Sequence, residues 1–515
     1  MIEYISEKQL SIEEFKTPFQ TKLDANNRWV KLASIVPWDT FAGHYISMMN
    51  TKHGRPGISP RIVLGAMIIK HKENLSDEKT ILAIQENVYM QFFVGLKEFQ
   101  TDKIFDSSLF VTIRKRIGKA AFDTLNEQLI KSLSSKKDKT QVSKKTDDDK
   151  YPPNKGKMQA DATVADQYIT YPTDAKLLNT SRKKLEKMID KLYCYNDKKG
   201  TKPRTYRRVL DKAFLSYSKK KNKRKSTHRK MKLKLLESVK RNINYVEKMM
   251  PDAEVLVLGK DYPLTQKDLD TLKIIKALYA QQKEMYDNKT NTCPNRIVSI
   301  DQPHVRPIVR GKQNARVEFG SKIGASLDNG FILINHLSWE AYHEGEYLIG
   351  QVENYFKIHG YYPELVQVDK AYSTRKNRKW LKERNIRITA KPLGRKPKEE
   401  KSAYQKAKHK KEAAERNHIE GKFGQAKNGY NLNKIRARLV ETAETWVSCI
   451  FFVMNLINYQ KKTIFSSIFS TLVSQTGIIT GKINALKKWN NFLLEIPYIF
   501  DQKSKVKYED LKLFQ

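Results

Sequence analysis

The sequence is poor in cysteine and lacks any long apolar run. Its three cysteines, Cys194, Cys293 and Cys449, stand far apart and form no CxxC pair, which argues against a disulfide framework and a structural zinc site. No run of 18 or more apolar residues is present, and the opening residues MIEYISEKQL are typical of neither a signal peptide nor a transit peptide. We therefore expect free thiols, no membrane partner and a cytoplasmic protein.

The chain is also short of acidic residues. Its 515 residues include 56 Asp and Glu against 97 Lys and Arg, which gives a formal net charge of +41. A field of this size concentrates polyanions, so a nucleic acid is the first partner to consider. With 39% hydrophobic residues the chain has enough apolar material for two to four domains, which excludes disorder throughout.

The first 131 residues predict a helical, helix-turn-helix-like DNA-binding domain. Helix starts are indicated by Ser59 before Pro60, by Ser76, and by residues 106–108. Several short helices in one segment suit such a module, although a helical bundle with no DNA role is the alternative. Residues 132–156 carry almost no apolar residue, which predicts a flexible linker.

After the linker the pattern predicts an α/β core that a helical domain interrupts. Segments 157–174 and 294–460 predict the core, and residues 175–293 predict a basic helical insertion. Residues 201–240 hold 16 Lys or Arg among apolar residues, so one helix face can pack while another contacts phosphates. A solvated basic face is the alternative.

Several core elements are predicted individually. Strands are expected at NRIVSID (295–301), on both sides of a turn at 328–330, at ELVQVD ending in Asp369, and at IRITA. One long helix is expected through ERNHIEGKFGQAK (415–427). The apolar segment 446–459 is too short to span a membrane and predicts a buried helix, and residues 461–515 predict a C-terminal helical extension.

Three acids stand at positions that suit metal-assisted chemistry on phosphates, in which two divalent ions activate the attacking oxygen and steady the leaving one. Asp161 and Asp369 lie at predicted strand ends, where ligand sites of α/β sheets are found. Glu420 shares a helical stripe with Arg416 and Lys427. A strand-end acid bonded to its turn and an i, i+4 salt-bridge ladder remain the alternative interpretations.

Other titratable residues are weaker candidates. Glu415 is expected to be solvated or paired with a lysine. Turn positions or buried pairs are expected for the acids Asp166, Asp174, Asp301 and Glu318, and structural or phosphate-side positions for His304, His336 and His418. Arg375 and Asn377 suit either DNA contact or a capping and surface role.

The motifs ADAT, VDKAY and ERNHIEGKFGQAK together resemble the DDE transposases of bacterial insertion sequences, in particular the IS-five and IS-four superfamily. That family's last motif is Tyr, two residues, Arg, three residues, Glu, six residues, Lys. Arg416, Glu420 and Lys427 keep this spacing, whereas Ala413 stands at the tyrosine position. HGRPGISPRIVLGAMIIKH and MQFFVGL resemble the family's N-terminal domain, and RGKQNARVEFGSKIGAS resembles the strand pair between its two aspartates. The resemblance covers most of residues 44–460.

The resemblance implies a ribonuclease-H-like mixed-sheet core in which Asp161, Asp369 and Glu420 hold two Mg²⁺ ions, with Mn²⁺ as a substitute. It implies cleavage at terminal inverted repeats and strand transfer of the freed 3′-OH into target DNA, by a homodimer on paired ends in the nucleoid. DNA contact is expected from a basic set: Arg310, Lys312, Lys370, Arg375, Arg416, Lys422 and Lys427. A catalytically silent DNA-binding derivative and a stand-alone ribonuclease-H-type nuclease are the alternatives.

Overall fold

A computed structural model describes most of the chain. The described residues are 15–16, 22–49, 57–137, 153–195, 200–250, 263–309, 317–391 and 402–475. The chain divides into two compact units, Met1–Asn458 and Tyr459–Gln515. In the second unit the description ends at Gln475 within a helix, so most of the predicted extension at 461–515 lies outside the described residues.

Six helices precede the first strand among the described residues. They are α1 (Arg28–Ala33), α2 (Trp38–Ser47), α3 (Pro60–Lys72), α4 (Asp77–Glu86), α5 (Val88–Phe93) and α6 (Leu109–Lys137). The predicted starts are confirmed, since Ser59 and Ser76 are the N-caps of α3 and α4, and α6 begins directly after residue 108. Helix α6 kinks at Gly118, whose φ of +69° would strain any larger residue.

The start of the predicted linker at residue 132 is wrong, because α6 continues to Lys137. Residues 132–137 contain neither Gly nor Pro, and polar residues alone do not end a helix. Residues 138–152 of the predicted linker lie outside the described part of the chain.

The core is a mixed sheet, which confirms the α/β class. Its strands are β1 (Lys157–Asp166), β2 (Arg306–Val309), β3 (Val317–Asp328), β4 (Phe331–Ser338), β5 (Leu365–Gln367) and β6 (Arg387–Ile388). They run in the order β2-β3-β1-β5-β6, with β4 also paired to β3. Pairing is antiparallel among β1 to β4 and parallel from β1 through β5 to β6. The predicted turn between β3 and β4 is confirmed, with positive φ at Asn329 and Gly330.

In the described part of the segment between β1 and β2 there are four helices: α7 (Asp174–Tyr195), α8 (Arg207–Lys219), α9 (Lys225–Met249) and α10 (Gln266–Asp287). They enclose an apolar core of their own, centred on residues such as Leu185, Leu235 and Ile275. The predicted strand at 295–301 is wrong, because Ile297 and Ile300 pack into this helical core and the segment pairs with no strand. Its apolar residues are buried by helices, and periodicity alone does not distinguish the two outcomes.

The remaining helices are α11 (Leu348–His359), α12 (Arg375–Glu383), α13 (Ala403–Glu415), α14 (Asn417–Gly429) and α15 (Val440–Gln475). Helix α15 is longer than the predicted 446–459. Within it Val440–Thr463 is long and apolar enough to cross a membrane by length and composition, yet 78% of its apolar window is buried. Its burial confirms the prediction of a core helix.

The single helix predicted through 415–427 is broken at Arg416, where α13 ends and α14 begins. The cause lies in the sheet. Gln159 Nε2 donates to the Glu415 carbonyl (2.7 Å), and Gln367 Nε2 donates to the Glu412 carbonyl (2.8 Å). In a continuous helix these carbonyls would accept from residues four positions later, so the glutamines compete with the helix. The Arg416 N–H bonds to Ala414 instead.

Candidate active site

The register of β1 and β5 places Asp161 and Asp369 in the same region of the sheet, just beyond the residues that these two strands pair. The predicted strand-end position of Asp161 is wrong, because β1 continues to Asp166 beside β3. The last paired residues of these parallel strands are Gln159 and Gln367. Their side chains lie on the same face, since Gln159 Nε2 donates to Gln367 Oε1 at 3.0 Å. Two residues further on, Asp161 lies within β1, and Asp369 lies beyond the end of β5 with a backbone that is still extended. The alternation of side chains along extended chain returns both to that face.

Helices α13 and α14 are fastened across this face of the sheet. The two glutamine contacts to the carbonyls of α13 hold it from one side. Glu415 adds an ion pair from its Oε2 to Lys157 Nζ (2.9 Å) and accepts a hydrogen bond from Gln367 Nε2 (3.0 Å). Glu415 is therefore paired with a lysine, as expected, and its role is to hold the helix on the sheet.

Arg416 lies between two of the candidate acids. Its guanidinium is 3.1 Å from Glu420 Oε1 and 3.9 Å from Asp161 Oδ2. Burial raises the pKa of Asp161 to about 6, and the charges of Glu344 and Glu420 add to this, whereas the Ala162 N–H and Arg416 oppose it. At Asp161 the repulsion from these two acids thus outweighs the attraction of Arg416.

The carboxylate of Asp369 forms a hydrogen bond to the backbone that follows it. It caps the 3-10 helix Lys370–Tyr372 by accepting a hydrogen bond from the Ala371 N–H. The Tyr372 side chain behind it is buried. Burial raises the pKa of Tyr372, and the charges of Glu344, Asp161 and Asp369 raise it further, which shows that these three acids surround one buried phenol.

Glu344 is an acid of this site that the sequence analysis missed. It begins the 3-10 helix Glu344–Tyr347 and forms an ion pair with Lys322 Nζ at 2.9 Å. Asn377 holds this helix against the next one by donating to the carbonyls of Gly345 (2.7 Å) and Tyr372 (2.9 Å). Asn377 is therefore buried and holds the local structure, which favours the capping alternative over DNA contact. No spacing rule in the sequence points to Glu344, because only tertiary packing brings it to Asp161.

The arrangement suits a hard divalent ion in its donor set, which consists of carboxylate oxygens that repel one another. The side-chain positions do not form a ready cage. Among the described residues, no group of three or more His, Cys, Asp or Glu is placed to hold a metal ion. Arg416 lies between Asp161 and Glu420, and Asp369 is turned towards Ala371.

The weaker acidic candidates all have cationic partners. Lys427 is 3.0 Å from Glu318 and 3.8 Å from Asp166, Asp174 pairs with Lys232 and Arg296, and Asp301 pairs with Lys184. Two of the histidines lie among aromatic rings, His304 against Trp339 and His336 between Tyr342 and Tyr347. Burial lowers the pKa of His304 to about 4, with help from Arg306.

The predicted DNA-contacting residues fall into three groups. Lys370 and Arg375 are exposed beside Asp369, and Lys422 is half-buried on α14. Arg416 and Lys427 form ion pairs with acids of the sheet, Arg416 with Asp161 and Lys427 with Glu318. Arg310 and Lys312 lie outside the described residues.

Comparisons with known proteins identify families and a relative that the chain resembles. Residues 17–116 match a family described as "Transposase domain (DUF772)", and residues 366–457 match one described as "Transposase DDE domain". The chain is similar to the "Uncharacterized protein ORF8 in nfe locus" of Rhizobium meliloti, with 31% identity over 167 residues that span 31% of this chain and 73% of that protein. No solved structure matches the chain.

Proposed function

Because this chain belongs to the DDE transposases, we propose that it cuts DNA at the terminal inverted repeats of an insertion sequence and joins the freed ends to target DNA. The element would be of the IS-five or IS-four kind. The observation that carries the proposal is that Asp161 and Asp369 follow the last paired residues of two neighbouring parallel strands, and that Arg416 lies between Asp161 and Glu420.

The proposal includes a ribonuclease-H-like catalytic core made of segments 157–174 and 294–460. The mixed sheet supports it, since antiparallel strands on one side of β1 meet parallel strands on the other. In the proposal residues 1–131 form a helix-turn-helix-like domain that binds the repeats, aided by the basic insertion at 175–293, and the enzyme acts as a homodimer on paired ends.

Asp161, Asp369 and Glu420 would hold two Mg²⁺ ions, or Mn²⁺ in their place. When bound, such ions supply activation of the attacking oxygen and stabilisation of the leaving one. The protein's own contribution is positioning. Arg416 would exchange its contacts to Asp161 and Glu420 for DNA phosphate near the cleaved bond, because a cation between the acids would compete with the metal.

The bond changes balance without a covalent protein intermediate. Water attacks phosphorus and the bond to the 3′ oxygen breaks, which leaves a 3′-OH and a 5′ phosphate. That 3′-OH then attacks a target phosphate, and a target 3′ oxygen leaves as one phosphodiester replaces another. No further energy source is needed.

The test is strand cleavage on labelled DNA that carries the element's own ends, in Mg²⁺. Asp369→Asn should reduce nicking by roughly a thousandfold or more. Asp301→Asn is the matched control, because Asp301 pairs with Lys184 on the insertion. Nicking by Asp369→Asn at the wild-type rate would refute the assignment. Binding without cutting by the wild type would favour the silent derivative, and cutting without joining would favour the nuclease.

A further inference from the structure

Beyond the candidate active site, the end of β1 presents two exposed aromatic rings. Tyr168 is 60% exposed and Tyr171 is 67% exposed. Tyrosine usually buries most of its ring, so two largely exposed tyrosines within four residues form an unusual surface. The chain around them is strongly basic, which makes an anionic partner the natural occupant.

Two cations accompany the first ring. Lys434 Nζ lies 5.3 Å from the centre of the Tyr168 ring, and Arg436 Cζ lies 5.8 Å from it. The combination of exposed aromatic faces with Lys and Arg is the arrangement by which proteins bind unpaired nucleic acid, since the ring stacks on a base and the cation meets the phosphate.

The backbone beneath the rings is held on two sides. The Tyr168 N–H donates to the Ile435 carbonyl (2.8 Å), and the Ile435 N–H donates to the Asp166 carbonyl (2.9 Å). On the other side the Gln167 N–H donates to the Phe319 carbonyl (2.7 Å), and the Tyr171 ring packs edge-on against Phe319. A surface fixed in this way loses little conformational entropy when a ligand stacks on it.

Its distance from Asp161 suits DNA. Seven residues separate Asp161 from Tyr168 along extended chain, which corresponds to roughly 23 Å at about 3.3 Å per residue. DNA strands advance about 3.4 Å per nucleotide, so this span is about seven base steps. Helix α14 runs beside β1 over the same stretch, with Glu420 near Asp161 and Lys427 near Asp166.

We propose that Tyr168 and Tyr171, with Lys434 and Arg436, form a stacking platform for unpaired DNA nucleotides that flank the cleaved end. The bases of a duplex already cover each other's faces, so only unpaired bases can stack on these rings. The inference rests on the proposed function, because it takes DNA as the substrate.

The experiment measures binding of the full chain to two DNAs with the same duplex, one blunt and one with a single-stranded tail of about ten nucleotides. The double variant Tyr168→Ala/Tyr171→Ala should bind the tailed DNA about 10- to 100-fold more weakly and the blunt DNA as the wild type does. Tyr168→Phe/Tyr171→Phe should retain the preference for the tail, because the ring faces remain. Tyr404→Ala removes another exposed tyrosine, on α13, as the matched control.

A fluorescent 2-aminopurine in the tail gives a second readout, since stacking on tyrosine should quench it in the wild type and the Phe variant only. The platform would be refuted if the double alanine variant lost affinity equally for both DNAs, or lost none for the tailed DNA. Nicking of element ends is scored separately in the wild type. Failure of nicking with an intact tail preference would refute the proposed function alone, and normal nicking without tail preference would refute the platform alone.

Discussion

Two partly buried aspartates, Asp77 in the N-terminal helices and Asp161 in β1, have pKa values shifted in opposite directions. Asp77 accepts two hydrogen bonds from Arg114 (3.0 and 2.7 Å) and pairs with Lys70 at 2.8 Å. Burial alone would raise the pKa of Asp77, but these cations hold it below its usual value. Burial raises the pKa of Asp161 to about 6, and its nearest guanidinium nitrogen is 3.9 Å away.

Under the proposed function, the difference separates a structural acid from a catalytic one. The cations around Asp77 are themselves buried, and both lie over the Trp446 ring of α15, Lys70 at 4.4 Å and Arg114 at 4.9 Å. In that cluster both cations pair with Asp77, and the contacts join four helices. At Asp161 itself, repulsion from Glu344 and Glu420 adds to burial and outweighs the attraction of Arg416, and such perturbed pKa values cluster at functional sites.

Removing the structural acid should have the largest effect on folding. Asp77→Ala would leave Lys70 and Arg114 buried without their counterion, which should lower the free energy of unfolding by about 3 to 5 kcal/mol. Urea unfolding at neutral pH measures it. Glu78→Ala, one residue along and exposed, is the control and should change stability by a few tenths of a kcal/mol at most. Similar losses of unfolding free energy in both variants would show that the ion pairs of Asp77 with Lys70 and Arg114 contribute nothing specific.

Neutralising Asp161 should stabilise the fold. The pKa of Asp161 is raised from 3.8 to about 6, so the folded protein binds more protons than the unfolded one in this window and loses stability as the pH rises through it. Its side chain is 16% exposed, so little of the effect is screened. Above pH 6, Asp161→Asn should gain about 2 to 3 kcal/mol.

The measurement is the difference in unfolding free energy between wild type and Asp161→Asn at several pH values. The gain should shrink as the pH falls below about 6 and disappear below 3.8, where the wild-type carboxyl is protonated in both states. A gain that is independent of pH would show that the substitution acts through packing. Loss of cleavage by the same variant would then separate its catalytic role from its electrostatic cost.

This contrast also shows which features of the site can be predicted from the sequence. Helical phase grouped Arg416 with Glu420, and their contact confirms that pairing, because i, i+4 neighbours meet in any helix. The helix break at Arg416 was not predictable, since it depends on Gln159 and Gln367, which are distant in the chain. Glu344 was missed for the same reason. The local sequence pattern predicts which helices and strands form. The set of charged side chains around Asp161 depends on how those elements pack together.

Glu415 and Glu420, the two glutamates of ERNHIEGKF, should differ in their effects on stability and on cleavage, and the changes in stability should be smaller than those above. Glu415 bonds Lys157 and Gln367, so Glu415→Ala should cost about 1 kcal/mol of stability while cleavage remains. Glu420 is 52% exposed and its ion pair is to Arg416, so Glu420→Ala should cost less than about 0.5 kcal/mol and abolish cleavage. Urea unfolding and the nicking assay on both variants measure the two effects. If Glu415→Ala lost cleavage and Glu420→Ala kept it, the assignment of the third acid would be reversed.

The smallest effect should come from Glu344, whose charge raises the pKa of Asp161. With Glu344→Gln, the carboxylate of Asp161 loses a repelling neighbour, so replacing Asp161 by Asn should stabilise the protein less than it does beside Glu344. A double-mutant cycle at pH 8 should give a coupling of roughly 0.5 to 1 kcal/mol. Glu346→Gln is the control, since Glu346 lies two residues along the same 3-10 helix and is exposed. Equal coupling at both glutamates would mean that the whole segment, and not Glu344, sets the field at Asp161.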